Sequence, residues 1–260
     1  MSQKTWLAAG AAAIMLAMHA SSSHAAVIVS NSLNVAPAGG AVHDMHDPSV
    51  AGTPDLLTAS STDLIQGLLP VVTYTGGSGS TTNELSAGES AWTDGSLKTV
   101  YGEGGSGGDA VDHAAYGTVT GTVGGADIDT FVTYDLGAKH DLSAIDVYLG
   151  WNDSGRDDSS FNALVSADNV TFTQIAAYDK GGDNTGQITV PVTNLHSIVD
   201  DGGASIASGV RYVQLQFTDA DNGFAGMVEL DVFGTQVPEP LAAGLVGLVG
   251  LVLAGLRRRD

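Results

Sequence analysis

DIDTFVTYDLG at residues 127–137 and LSAIDVYLGW at residues 142–151 decide the fold of this chain. In both stretches apolar and aromatic side chains recur at every second position, and aspartates occupy the opposite parity. A period of two is the pattern of β-strands that bury one face. The predicted buried faces carry Ile128, Thr130, Val132, Tyr134 and Leu136 in the first stretch and Ile145, Val147, Leu149 and Trp151 in the second.

The same alternation continues downstream, and turn residues such as Asp168-Asn169 and Asp201–Gly203 separate the runs. Upstream, residues 26–30 and 70–75 are predicted as strands, and residues 56–59 and 64–68 as short helical turns. Many short strands at these spacings predict an all-β, antiparallel sandwich. Its further inward faces are Phe161, Ala163 and Val165; Ile188, Val190 and Val192; Val213, Leu215 and Phe217; and Val228, Leu230 and Val232.

Seven segments occur in the order and spacing of a known family. They are Ala91–Gly95, Tyr134–Gly137, Leu142–Leu149, Phe161–Asn169, Thr171–Thr173, Val210–Leu215 and Val228–Gly234. From about Leu85 to Gly234 the chain resembles the discoidin domain, which is the type C domain of coagulation factors V and VIII. Asn169 stands where that family has glycine, and Phe172 where it has tryptophan. The resemblance implies a galactose-binding-like, jelly-roll β-sandwich.

The N-terminus has the features of a secretory signal. Lys4 precedes an apolar run over residues 6–18, and Ser23 and Ala25 form a small-x-small cleavage site. The run is shorter than the roughly 20 residues that span a bilayer. We therefore expect a signal helix that is cleaved after Ala25, with cleavage after Ala20 as the alternative.

The C-terminus reads Pro238-Glu239-Pro240, an uncharged apolar segment over residues 241–256, and Arg257-Arg258-Arg259. A membrane-seeking segment followed by a cationic stop predicts a transmembrane helix. The three features in this order resemble the PEP-CTERM sorting signal. That resemblance implies a transient anchor in the inner membrane, recognition by an exosortase, and delivery to the outer surface or extracellular matrix. A plain membrane anchor is the alternative.

These observations divide the chain into four parts, of which one is a folded domain. Residues 1–25 are the signal peptide, and residues 26–84 are an irregular lead-in packed on the sandwich. Residues 85–235 are the discoidin-like domain, and residues 236–260 are the sorting tail.

Charge and cysteine content exclude several classes of function. The chain has 29 acidic and 9 basic residues, and no cysteine. Strong negative charge disfavours binding to nucleic acid and favours divalent cations. Without cysteine, disulfides and thiolate metal sites are excluded, so stability must come from the core, with bound calcium as a further source.

The resemblance also implies a structural calcium site. In the family such an ion bridges the opening loop and the last strand, and the matching residues here are Asp94 and Glu229. Ser96 and Thr99 are further oxygen donors. The alternative is an ordinary turn at Asp94 and a solvated glutamate on the outward face of its strand.

For a ligand site, the resemblance points to loops at one end of the sandwich. The segment after residue 150 contains Trp151, Asn152 and Arg156. An indole face can stack on a sugar ring, and the amide and guanidinium can bind hydroxyl groups. Alternatively, Trp151 closes the end of the core and Arg156 offsets neighbouring aspartates.

Other polar groups carry less specific signals. His43 and His46, with Asp44 and Asp47, are spaced for a divalent ion only on a helix, which Pro48 discourages. Asp219, Asp221 and Asn222 imitate the start of an EF-hand loop, but position 230 is leucine. No hydrolase or nucleotide-binding motif occurs in the sequence.

The sequence thus predicts an exported, noncatalytic module that binds extracellular polysaccharide. One alternative is a structural or interaction protein of the exopolysaccharide matrix without a working sugar site. An enzyme, which would need a cleft with a perturbed carboxyl group, is the third.

Overall fold

The computed structural model describes about half of the chain. The described residues are 26–35, 57–75, 81, 88–97, 115–118, 129–150, 159–180, 192–220 and 224–238. The predicted signal helix and the predicted transmembrane helix lie outside them, so both stay predictions. Within the described ranges, no helix is long and apolar enough to cross a membrane.

The described part of the chain is built from strands, with one short 3-10 helix at Glu89–Thr93. The strands are β1 Ala26–Val35, β2 Val71–Tyr74, β3 Ala115–Thr118, β4 Thr130–Gly150, β5 Ser159–Ser166, β6 Thr173–Tyr178, β7 Val192–Asp200, β8 Ala207–Ala220 and β9 Phe224–Gln236.

Every strand pair is antiparallel, and β4 belongs to two layers. Residues 130–135 of β4 pair with β2 and β8, and β8 continues to β5 and β6. Beyond residue 139, β4 keeps two pairs with β8, at His140 and Leu142, and otherwise pairs with β7 and β9, which continue to β1 and β3. The crossing falls at a register shift that contains Gly137, whose φ is 74°. Glycine adopts this left-handed conformation at no steric cost, which permits the bend.

The two layers enclose one apolar core. His196 on β7 contacts the rings of Phe161 on β5 and Tyr178 on β6, although these strands are not hydrogen-bonded neighbours. These contacts show that the layers face each other as a sandwich. The core confirms the predicted inward faces at Val132 and Tyr134; Ile145, Val147 and Leu149; Phe161, Ala163 and Val165; and Val213, Leu215 and Phe217.

The strand registers define two ends of the sandwich. At the loop end lie Gly150, Ser159 and Phe224, because Gly150 pairs with Thr193 and Ser159 pairs with Ala220. At the terminal end lie Ala26, which pairs with Asp200, and Gln236, which pairs with His140. The start of β1 and the end of β9 therefore lie at the opposite end of the sandwich from Gly150 and Ser159, the described residues that flank the connection 151–158.

The last strand departs from the predicted alternation. Tyr148 pairs with Glu229 and Leu149 pairs with Met227, so Val228 is an extra residue that forms a bulge. Met227 and Leu230 face the core, whereas Val228 packs in a separate cluster with Leu57, Leu97 and Tyr148. The prediction that Val228 shares a face with Leu230 was wrong, because a simple period of two does not reveal a bulge.

Two other local predictions differ from the structure. Residues 64–67 form a hydrogen-bonded turn where the short helical turn at 64–68 was predicted, whereas residues 57–59 of the turn predicted at 56–59 form neither a helix nor a turn. Strand β7 extends to Asp200, well beyond the run predicted at 188–192. The alternation was obscured because polar Asn194 and His196 occupy inward positions of β7.

Candidate functional site

The layer that contains β7, β9 and the second half of β4 carries a group of carboxylates on its outer face. Asp146 on β4 pairs with Asp231 on β9, and Glu229 lies two residues before Asp231 on the same face. Glu229 is 0% exposed and Asp231 is 1% exposed. The outward parity predicted for Glu229 is correct, but the alternative of a solvated glutamate is wrong because other parts of the chain cover this face.

Residues 57–69, which we call the cover segment, provide much of that covering. Ser60 N donates to Asp231 Oδ2 at 2.7 Å, and Leu64 N donates to Val232 O at 2.8 Å. Asp63 Oδ1 accepts from Val232 N at 3.3 Å. Leu57 and Ala59 pack against Tyr148 and Val228. The segment therefore covers the outer face of the sandwich and is hydrogen-bonded along β9.

The turn after the 3-10 helix also reaches this face. Gly95 N donates to Glu229 Oε2 at 3.2 Å, and Ser96 N donates to Asp94 Oδ1 at 2.8 Å. The structure thus brings Asp94 and Ser96, two of the predicted calcium ligands, to the third one, Glu229. Thr99 lies outside the described residues.

Burial and crowding strongly favour the neutral forms of Glu229 and Asp231. Burial, followed by the charges of Asp231 and Asp94, raises the pKa of Glu229 to about 10. Burial raises the pKa of Asp231 to about 7, with the neighbouring Asp63 and Asp146 adding to the effect. Without a compensating positive charge, the site holds protons that solvated carboxyl groups lose near pH 4.

Several acceptor atoms here lack donors. Glu229 Oε1, Asp231 Oδ1, Asp63 Oδ2 and Gln66 Oε1 are buried and have no hydrogen-bond partner among the described residues. Unpaired buried acceptors are costly, and a hard cation is one group that satisfies them. Asp94, Glu229 and neutral oxygens around them therefore fit calcium chemically. Within the described ranges, no three or more histidine and carboxylate side chains are grouped as ligands of one metal ion.

The predicted sugar-binding residues Trp151, Asn152 and Arg156 lie outside the described residues. The flanking positions are described: Gly150 ends β4 and Ser159, which is fully buried, begins β5. Both belong to the loop end of the sandwich. Of the predicted sorting signal, only Pro238 is described, and it is exposed just after β9; Glu239, Pro240, Arg257, Arg258 and Arg259 lie outside the described residues.

Beneath the loop end, the core contains an uncharged histidine. His196 is fully buried and neither ring nitrogen has a hydrogen-bond partner among the described residues. Burial lowers the pKa of His196 to about 4. Its ring is 4.0 Å from the ring of Tyr178, centroid to centroid, so it serves as an aromatic packing group.

At the terminal end, a shallow cleft of about 270 Å³ lies between the β5–β6 turn and the start of β8. None of the predicted site residues lines it. Its polar lining comes from Ser166, Asp168, Thr171, Thr173 and Ser208.

Sequence reasoning missed three of the residues that surround Glu229. Asp63 precedes the apolar pair Leu64-Ile65, a position typical of a cap, and its Oδ1 accepts from Ile65 N at 2.9 Å. Asp231 was assigned an outward position without a role. Gln66 gave no signal at all. The spacing of Glu229 and Asp231, two acids on one strand face, was the available sign of a charged cluster.

No protein-family model and no curated protein match this chain. Solved structures match at low identity. CpGH89CBM32-5 from Clostridium perfringens, in complex with GalNAc-β-1,3-galactose, is 17% identical with a TM-score of 0.40, covering 64% of this chain and 95% of that one. The lectin domain of lectinolysin, complexed with Lewis B antigen, is 12% identical with a TM-score of 0.39, covering 67% and 98%. Chitosan-binding module 1 of a chitosanase/glucanase from Paenibacillus sp. IK-5 is 15% identical with a TM-score of 0.37, covering 66% and 99%.

Proposed function

We propose that this chain is an exported, noncatalytic module that binds extracellular carbohydrate through the connection between β4 and β5. The observation that carries the proposal is the separation of the two ends of the sandwich. Residues that flank Trp151–Arg156 lie at the loop end, whereas Ala26 and Gln236 lie at the terminal end. A module tethered by a tail after Pro238 would therefore present the sugar-binding connection away from its tether.

The chemistry of that connection suits a neutral or weakly charged sugar. A tryptophan, an asparagine and an arginine within six residues supply a stacking face and donors for hydroxyl groups. The chain's charge of −20 disfavours strongly anionic polymers by repulsion. The PEP-CTERM-like tail supports delivery to the surface through the inner membrane and an exosortase.

A glycan array probed with the purified full-length chain tests the proposal. We expect binding to a defined set of neutral glycans. Trp151→Ala should weaken that binding at least about tenfold without lowering the melting temperature, because stacking is lost while the core is kept. Trp92→Phe is the matched control, since Trp92 is 1% exposed and should affect stability but not affinity. If no glycan binds in calcium or in chelator, the carbohydrate proposal fails and the matrix-structural alternative replaces it.

We further propose that Asp94 and Glu229 hold a structural calcium ion, with Ser96 and Thr99 as the other ligands implied by the resemblance. The ion would neutralise the Glu229 carboxylate, whose pKa burial otherwise raises so that it stays protonated. Calcium should raise the melting temperature of the chelated protein by several degrees, since a ligand that binds only the folded state stabilises it. Asp94→Ala should abolish the rise. A wild-type chain that melts at the same temperature with calcium and chelator would contradict the calcium site.

Sorting has its own test. Mass spectrometry of the protein recovered from its native envelope should find a C-terminus near residues 237–240. An intact C-terminus that ends in Arg257–Asp260 would instead show a permanent anchor.

A further inference from the structure

The cover segment contacts both halves of the carboxylate site. At one side Ser60 N binds Asp231 Oδ2. At the other, Gly67 N donates to Thr93 O at 2.7 Å and Thr93 Oγ1 donates to Leu68 O at 2.8 Å, beside the turn that holds Asp94. The segment therefore bridges β9 and the predicted calcium-binding turn, which are far apart in sequence.

Neutral oxygens of this segment converge on Gly95. A Cβ atom at Gly95 would lie 3.1 Å from Ser60 O and 3.3 Å from Gln66 Oε1. The backbone NH of the same Gly95 donates to Glu229 Oε2. Gly95 has a φ of 79°, so only glycine fits this approach without strain. A carbonyl, an amide oxygen and a carboxylate thus surround one turn.

A hydrogen bond fixes the orientation of the Gln66 amide beside Gly95. Its Nε2 donates to Thr93 O at 2.9 Å, which directs Oε1 away from that carbonyl. Oε1 is buried, and so is Glu229 Oε1, and neither atom has a donor among the described residues. Two buried acceptors beside Gly95, both unpartnered among the described residues, form an arrangement that a cation satisfies and a further acceptor does not.

Calcium takes six to eight oxygen ligands, and many of these are neutral. Asp94 and Glu229 supply two carboxylates, so most of the remaining ligands must be carbonyl, amide, hydroxyl or water oxygens. Gln66 Oε1 and Ser60 O are such oxygens, and both come from a segment outside the discoidin-like region predicted from the sequence. The structure therefore joins the lead-in to the ion's surroundings.

We propose that Gln66 Oε1 is a ligand of the cation held by Asp94 and Glu229, and that the cation fastens the cover segment to the sandwich. Ser60 O lies near enough to the same turn to join the ligand set. This inference rests on the calcium part of the proposed function. The ion then has a second role: it controls whether residues 57–69 stay closed over the carboxylates of β9.

The test compares the chelated full-length chain with the same chain titrated with calcium chloride, and uses magnesium chloride as the control ion. Calcium affinity is measured by calorimetry, and closure of the cover segment by limited proteolysis with mass-spectrometric mapping of cuts within residues 57–69. In the wild type we expect calcium, and not magnesium, to slow cleavage there at least about tenfold, because cleavage of a segment follows its open population.

Two substitutions at Gln66 separate a ligand from a packing residue. Gln66→Leu should weaken calcium binding at least about tenfold and remove the protection of residues 57–69. Gln66→Glu restores an oxygen ligand, so calcium binding should recover while the calcium-free protein is cleaved faster than wild type. Gln214→Leu is the matched control, because Gln214 also donates one amide hydrogen bond, to Thr133 Oγ1 at 2.8 Å, but belongs to the other layer.

The outcomes are distinct. If Gln66→Leu binds calcium as tightly as wild type and keeps calcium-dependent protection, water satisfies Gln66 Oε1 and the inference is overturned. If wild type binds calcium but residues 57–69 are cut equally with and without it, the proposed closure of the cover segment by calcium is overturned while the calcium site stands. If wild type binds no calcium, both fail. The glycan array is scored on the same samples, so loss of the calcium site and loss of carbohydrate binding are recorded separately.

Discussion

The two faces of β9 are equally buried, but different interactions stabilise them. Leu230 and Val232 face the core at 0% exposure, whereas Glu229 and Asp231 face the cover segment at 0% and 1%. The core face is stabilised by removal of apolar surface from water, which requires no further partner. The outer face contains charged groups whose burial is costly until protons or a cation neutralise them. Burial alone therefore does not identify what stabilises a residue; the second face depends on solution conditions and the first does not.

The largest effect should come from the core face. Leu230→Ala removes a fully buried side chain, so the free energy of unfolding should fall by about 3–4 kcal/mol. Guanidinium unfolding monitored by tryptophan fluorescence measures this. The loss should be the same in calcium and in chelator. A loss that depends on calcium would show that the two faces are coupled and would break the comparison.

The next effect should come from pH on the outer face. In the metal-free protein the pKa values of Glu229 (about 10) and Asp231 (about 7) exceed those of unfolded carboxyl groups. The folded state then holds more protons than the unfolded state, so stability falls steadily as pH rises from about 5 to about 9.

Thermal melts of chelated protein across this pH range measure the slope. Glu229→Gln should flatten it, because the amide resembles the protonated carboxyl group and does not titrate. Calcium should flatten the slope in the wild type as well. A melting temperature that rises toward alkaline pH in chelator would contradict the assignment.

The buried histidine should respond to pH in the opposite direction. The pKa of His196 is about 4 in the folded state against about 6.5 unfolded. The unfolded state binds more protons between these values, so stability is lost as pH falls from about 6.5 toward 4, by about 3 kcal/mol. His196→Phe should remove this acid loss while keeping the ring contacts. Phe161→Leu, in the same cluster, should lower stability equally at every pH and serves as the control.

The smallest effect should come from the bend that divides β4 between the layers. Gly137 has a φ of 74° and a Cβ there would meet nothing within 4 Å. Gly137→Ala should therefore cost only the backbone strain, about 1 kcal/mol, measured by chemical unfolding. A loss as large as that of Leu230→Ala would mean that the bend is packed and not merely strained.

Much of the core face was predictable from sequence, because side chains of regular strands alternate and the core selects apolar groups. The inward residues of β5 and β8, and of β4 where it is described, follow this rule. The proximity of the Asp94 turn to Glu229 followed from the family resemblance. The cover segment did not follow, because its contacts use backbone groups such as Ser60 N and Leu64 N, which any sequence provides.

The errors at β7 and β9 have other causes. Inward-facing Asn194 and His196 removed the apolar signal of β7, since the core accepts a neutral imidazole between aromatic rings. The bulge at Val228 depends on how β9 aligns with β4, and an alignment between distant strands leaves no mark in the local pattern. The burial of Glu229 depends on a segment about 160 residues earlier in the chain.

The extra residue in β9 has a consequence for how this chain can change in length. An insertion or deletion inside a regular strand moves every following side chain to the opposite face. Loss of Val228 is an exception, because Met227 and Leu230 already point inward from either side of the bulge, and Glu229 would remain outward. Descendants of this sequence can thus lose this one residue and keep both faces of the strand, at the expense of the contacts that Val228 makes with Leu57 and Leu97.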